Sequence, residues 1–256
     1  MEEGKLNPSP VEQVEFERRE ERQKNNERHL IAPFAYTSTR RVEISASHLR
    51  EQRIVAPFDE GPLVDAYKIL RTQLIHRMME NRWNVLGITS PGKGEGKTVT
   101  AVNLAISLSK VANQTVLLID ANLRNPGVHH LLGIKEEKGL VDYLVDEVTL
   151  EELLIHLGIG RFVVLPAGRK IQNSPDLLIS HRMIELAKEV KHRYRSRMVI
   201  FDLPPLLQAA DVLAFSPHID SLLLVVEAGK TQEKEVERSL QILQGVPIIG
   251  TVLNKG

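Results

Sequence analysis

Eleven consecutive residues, Ile88-Thr89-Ser90-Pro91-Gly92-Lys93-Gly94-Glu95-Gly96-Lys97-Thr98, combine three glycines with a lysine and a hydroxyl in an order suited to anion binding. The apolar residues Val85, Leu86 and Ile88 lead into the glycine-rich turn, and a helical pattern starts at Lys97. Glycines let backbone N–H groups converge on phosphate oxygens where a Cβ would intrude. The helix that follows offers its positive N-terminal end to the same anion. On this reading Gly92, Lys93, Gly94, Glu95, Gly96, Lys97, Thr98 and Val99 form the cradle. Lys97 reaches the terminal phosphates and the Thr98 hydroxyl holds Mg²⁺. The first glycine of the usual G-x-x-x-x-G-K-[ST] pattern is replaced by Pro91, so Gly92 and Gly94 are expected to supply the turn. A nucleoside triphosphate is the ligand this pattern implies.

Two apolar runs end in carboxylates, Thr115-Val116-Leu117-Leu118-Ile119-Asp120 and Met198-Val199-Ile200-Phe201-Asp202. Asp202 is placed to hold Mg²⁺ directly or through water. Asp120, at the same level of a neighbouring strand, is placed on the magnesium side, to orient or deprotonate an attacking hydroxyl or water. Phosphoryl transfer needs such charge neutralisation and alignment. Each carboxylate alone reads equally well as a helix cap or loop tie, and the phosphate loop tips the reading toward chemistry. Arg124 has two readings that stay open, a phosphate contact or a partner for a nearby acid. His129-His130 lacks companions at ligand spacing and reads as ordinary helix sequence, as do His181 and His192.

The elements that must position these residues alternate. A helix is expected from the spacing of Leu63, Tyr67, Leu70, Leu74 and Met78, then a strand from Trp83 to Ile88 and a helix to about Asn113. Further on, the pattern predicts a helix over 140–157, a strand over 161–165, a helix over 179–192, and strands at 198–202, 221–227 and 248–253. The last two flank a helix at 231–243. Nearly continuous apolar strands alternating with helices predict an α/β fold with a mostly parallel sheet and helices on both faces. Ligands in such folds sit beyond the carboxyl ends of the strands.

Residues 1–40 are polar, mixed in charge and poor in large apolar side chains, so they read as a flexible tail. Residues 41–62 read as a short extension, with a strand at Val42 and Ile44 and a boundary at Gly61-Pro62. Residues 63–256 form the expected nucleotide-binding unit. Lys and Arg total 33 against 33 Asp and Glu, which argues against a nucleic-acid surface. The 256 residues contain no cysteine, which removes disulfides, thiolate metal sites and a cysteine nucleophile. No apolar stretch approaches the ~20 residues a membrane span needs, and the N-terminus carries no apolar secretion segment. A cytoplasmic protein is expected, or one peripheral to the inner face of the membrane.

With these residues in view, the chain resembles the cytoplasmic kinase domain of the bacterial tyrosine autokinases of capsule and exopolysaccharide synthesis. Those proteins are P-loop NTPases related to partitioning and septum-site ATPases. The likeness rests on the phosphate loop, on Asp120-Ala121-Asn122-Leu123-Arg124, on Asn173-Ser174-Pro175-Asp176-Leu177-Leu178, on Asp202-Leu203-Pro204-Pro205, and on Asp211 and Asn254. It implies ATP and Mg²⁺ at Lys97, Thr98, Asp120 and Asp202, Asp120 as base toward a tyrosine hydroxyl, and Asn254 against adenine. It implies a membrane-embedded polysaccharide chain-length or activator protein as partner. The segment with Asp65, Lys68 and Arg71 resembles the family's Glu-x-x-Arg-x-x-Arg oligomerisation helix, implying a homo-oligomer. Residues 41–56 resemble the extension of the variant found beside exosortase-type clusters.

Two departures bear on activity. Asn122 stands where the family carries a second carboxylate, and the tyrosine-rich tail is absent, leaving Tyr36 as the best-placed acceptor among Tyr36, Tyr67, Tyr143 and Tyr194. Both features also suit an ATP-switched interaction protein of the same pathway with vestigial transfer. A partitioning-type ATPase would carry a further lysine at position 92, where this chain has Gly92 followed by Lys93.

Overall fold

The computed structural model describes residues 40–135, 138–146, 148–192 and 197–256. Eight strands form one sheet: β1 (Arg40–Arg41), β2 (Val85–Thr89), β3 (Thr115–Asp120), β4 (Ile155–His156), β5 (Phe162–Leu165), β6 (Arg197–Asp202), β7 (Ser221–Glu227) and β8 (Ile248–Asn254). Their order is β1-β4-β5-β3-β6-β2-β7-β8, parallel throughout except where β4 meets β5. The helices are α1 (Ala46–Glu51), α2 (Pro62–Asn81), α3 (Lys97–Ser109), α4 (Val128–Leu132) and α5 (Leu140–Val145). They continue with α6 (Leu150–Leu153), α7 (Ser174–Leu178), α8 (His181–His192), α9 (Asp211–Phe215) and α10 (Glu233–Ile242). The mostly parallel α/β architecture is the expected one.

The centre of the sheet is dry. Every residue of β2, β3, β5 and β6 is buried, which is why these segments read as unbroken apolar runs rather than alternating ones. α3 is buried along most of its length, with Val102, Leu104, Ala105, Ile106 and Leu108 inaccessible to solvent. The helix that follows the phosphate loop is therefore fixed from its second turn onward.

Three stretches differ from the sequence pattern. The leucines of 140–157 mimic one long helix, but the chain breaks it into α5, α6 and β4. Asp146 and Thr149 are extended, and β-branched Val145, Val148 and Thr149 favour that break. Ile155 and His156 then pair with Val164 and Val163 of β5. The strand expected at Val42 and Ile44 lies earlier, at Arg40–Arg41, and Val42 adds one amide bond to the His156 carbonyl at 3.0 Å. Beyond it Ser45 caps α1, a helix the pattern did not announce.

Residues 46–56 join the main core through Leu49, Ile54 and Ala56. The Asn103 side chain in α3 ties them down, accepting from the Val55 and Ala56 amides at 2.7 and 2.9 Å and donating to the Arg53 carbonyl at 3.0 Å. In α2 the expected stripe is buried at Leu74 and Met78, while Leu63 faces outward, 61 % exposed.

Candidate active site

Backbone geometry decides which glycines the loop needs. Gly94 and Gly96 hold φ of +81° and +94°, and Gly92 does not enter this region. At Gly96 an added Cβ would also lie 2.0 Å from the Asn254 amide nitrogen, so only glycine fits the junction with α3. The loop entrance is fixed from outside. Ser90 and Pro91 carbonyls accept from the Leu206 and Leu207 amides at 2.8 and 3.2 Å, and Thr89 Oγ1 donates to the Pro204 carbonyl at 2.7 Å.

Glu95 plays a part the sequence did not reveal. Its side chain is buried, accepting from the Gly92 amide at 2.9 Å and from the Thr231 hydroxyl. Its carbonyl accepts from Asn254 Nδ2 at 2.8 Å, and Lys255 Nζ donates to the Gly94 carbonyl at 2.7 Å. The ends of β7 and β8 are thus laced to the middle of the loop. A carboxylate inside an anion-binding loop is out of place electrostatically, and that oddity was the available signal.

On the other side of the loop, Asp120 and Asp202 are register partners on β3 and β6. Asp202 accepts from Thr98 Oγ1 at 2.8 Å and lies 3.4 Å from Lys97 Nζ, which is itself 3.0 Å from Thr98 Oγ1. Asp120 accepts from the amides of Asn122, Gly127 and Val128 at 3.2, 3.0 and 3.0 Å. Both carboxylates are fully buried. Burial, and then the charge of Asp202, push the Asp120 carboxyl up to about 7. Burial raises Asp202 as well, with Lys97 and Thr98 pulling it partly back.

Two desolvated carboxylates on neighbouring strands, only one of them paired with a lysine, are costly to ionise in the bare protein, a cost that a bound cation would offset. Asn122 points the same way: it is 4 % exposed, its Nδ2 donates to the Asn125 carbonyl at 2.8 Å, and its Oδ1 has no partner among the described residues. No group of three or more His, Cys, Asp or Glu able to hold a metal occurs among the described residues. Two carboxylates in register suit an ion such as Mg²⁺, which takes one or two and completes its shell with water and phosphate.

The structure brings Lys97, Thr98, Asp120 and Asp202 together and sets Asn254 against the loop. Val99 follows them, half-buried in the first turn of α3, and Lys93 is exposed at the loop surface. Arg124 makes the acid contact of its second reading, its Nε donating to Ser174 Oγ at 2.9 Å and lying 3.4 Å from Asp211 Oδ2, which leaves its terminal nitrogens open to the first. His129 and His130 stack with ring centres 3.9 Å apart in α4 and gather no further ligands. In α2, Lys68 pairs with Asp65 at 2.9 Å, and Arg71 donates to the Ser107 carbonyl of the same chain at 3.0 Å. Tyr67 and Tyr143 are partly buried, whereas Tyr36 and Tyr194 lie outside the described residues.

The AAA domain family model matches residues 84–247. The tyrosine-protein kinase YwqD of Bacillus subtilis is 32% identical over 209 residues, covering 80% of this chain and 87% of that protein. The chain belongs to the bacterial tyrosine-protein kinase family. The tyrosine-protein kinase etk of Escherichia coli is 36% identical over 193 residues, but these make up 26% of its length, so the chain spans about a quarter of that relative. The solved kinase domain of the E. coli enzyme superposes with a TM-score of 0.72 at 32% identity, covering 89% of this chain and 91% of that one. The Pyrococcus horikoshii septum site-determining protein MinD, complexed with Mg-ADP, shares the fold alone, with a TM-score of 0.54 at 22% identity. No helix among the described residues is long and apolar enough to cross a membrane.

Proposed function

We propose that this kinase-family chain binds ATP with Mg²⁺ and transfers the terminal phosphoryl group to a tyrosine hydroxyl, in the control of exopolysaccharide or capsule synthesis. The observation that carries the reading is the contact of Lys97 and Thr98 with Asp202, with Asp120 as its register partner on the next strand. Thr98, Asp202 and Asp120 would hold the metal, which supplies neutralisation of phosphate charge. The loop amides from Gly92 to Val99 would surround the phosphates and Lys97 would pair with their terminal oxygens. Asn254, already seated on the loop, would meet the adenine. In the transfer, the tyrosine oxygen bonds to phosphorus as the bridging P–O bond breaks, its electron pair leaving with ADP. The phenolic proton passes to Asp120, the carboxylate paired in register with Asp202 at the same rim.

Residues 63–256 form the catalytic unit in this proposal, with 41–62 packed on as an extension. Tyr36 is the acceptor candidate, a membrane-embedded chain-length or activator protein the partner, and the inner face of the membrane the place of action. The α2 segment around Asp65, Lys68 and Arg71 is the candidate self-association surface. The second reading, an ATP-switched regulator with weak transfer, is favoured by one feature, the neutral Asn122 beside the carboxylate pair. A phosphotyrosine immunoblot with Mg²⁺-ATP, comparing the chain with Lys97→Met, separates them. Signal only in the unaltered chain supports the kinase, and equal lanes with ATP binding intact support the switch. Hydrolysis that rises with protein concentration and vanishes in Lys93→Ala would instead favour a partitioning-type ATPase.

A further inference from the structure

Ser174 and Asp211 are fully buried polar residues with no place in the nucleotide site described so far. They stand at the first positions of α7 and α9, and the Ser174 hydroxyl donates to Asp211 Oδ1. The common explanation for an acid at such a position is capping of its own helix. It does not hold here, because Asp211 accepts no backbone N–H among the described residues and no side chain caps α9. Its second oxygen, Oδ2, has no hydrogen-bond partner among the described residues and lies 3.4 Å from Arg124 Nε. An ion buried at this depth is costly unless a counter-ion answers it, and Arg124 is that counter-ion.

Arg124 is held without being covered. Its Nε is spent on Ser174, while 39% of the side chain stays exposed and neither terminal nitrogen has a partner among the described residues. The loop carrying it is stiff. The Leu123 carbonyl accepts from the Ile171 amide at 2.9 Å, and the Gly127 and Val128 amides grip Asp120. Arg124 lies four residues beyond Asp120, past the carboxyl end of β3, with its guanidinium clamped through Nε.

We infer that Ser174 and Asp211 are positioning residues which aim the Arg124 fork at the transferred phosphoryl group, where negative charge spreads over the equatorial oxygens during transfer. This rests on the proposed nucleotide site and adds the device that orders it. A lysine at 124 keeps the charge but loses the paired donors and the planar Nε clamp.

The test uses the full chain, calorimetry with Mg²⁺-ADP, and Mg²⁺-ADP with aluminium fluoride as a mimic of the transferring group. Ser174→Ala, Asp211→Asn and Arg124→Lys are each expected to bind ADP within about twofold of the unaltered chain. The same variants should lose at least about tenfold in affinity for the fluoride complex. Asp211→Asn added to Arg124→Lys should cost nothing more, because both act through one contact. Equal losses for the two ligands, unchanged affinity for the fluoride complex, or additive losses in the double variant would overturn the inference. Arg124→Lys, the half-exposed site, carries the test if Asp211→Asn does not fold. An unaltered chain that binds ADP but gains nothing from aluminium fluoride overturns this inference alone. One that fails to bind ADP overturns the nucleotide reading beneath it.

Discussion

The two flanks of the phosphate loop are built on opposite plans. Toward β7 and β8, polar groups are answered from within: Glu95 by Gly92 and Thr231, Asn254 by the Glu95 carbonyl, Lys255 by the Gly94 carbonyl. Toward β3 and β6, polar groups are left in want. Asp120 and Asp202 are buried with raised proton affinity, and Asn122 Oδ1 has no partner among the described residues. The first flank is a preformed grip whose order needs no ligand. The second buries carboxylates whose charged forms are disfavoured without a ligand, a cost that a cation would relieve, which is the usual relation between stability and function at a reactive site.

Variants on the two flanks should therefore fail in different ways. On the needy flank, Lys97→Met is expected to take phosphotyrosine formation below detection while the fold, followed by its melting curve, is kept. Asp120→Asn is expected to slow transfer by about 10²- to 10⁴-fold, the worth of a general base, with ATP affinity measured by calorimetry changing far less. On the self-satisfied flank the order reverses. Glu95→Ala removes a buried, charge-assisted tie and should lower stability by about 1–3 kcal/mol in urea unfolding, with ATP binding weakened in step. A Glu95→Ala chain of unaltered stability would break the contrast.

Asn122→Asp sharpens it. A second carboxylate should tighten Mg²⁺ and raise Mg²⁺-dependent transfer by roughly tenfold, about 1.4 kcal/mol. Unchanged rates across a Mg²⁺ titration would count against that account.

The smallest effect is a pH dependence of the ligand-free protein. The folded chain keeps a proton on Asp120 up to about pH 7, whereas the ordinary carboxyl value is 3.8. Across that window the folded state binds more protons than the unfolded one, so this group's contribution to stability falls as pH rises and is lost above 7. Urea midpoints at pH 5 and pH 8 should therefore drop more for the unaltered chain than for Asp120→Asn.

Much of the reactive flank was legible in the sequence because its signals are local. Asp120 and Asp202 each close an apolar run, and Lys97-Thr98 opens a helix after glycines. What the sequence hid depends on pairing between distant segments. Glu95 joins Thr231 across 136 positions, and Arg124 joins Ser174 across 50, so neither contact leaves a local trace. The pairing of β4 with β5 hid the break in the apparent 140–157 helix in the same way, since the leucine spacing there fits a helix until the sheet edge claims Ile155.

Calorimetry with ATP, with and without Mg²⁺, tests most directly whether the needy flank is a magnesium-nucleotide site. The unaltered chain should bind ATP more tightly when Mg²⁺ is present, and Asp202→Asn should abolish that gain. Affinity indifferent to Mg²⁺, or no affinity for ATP at all, would contradict the account.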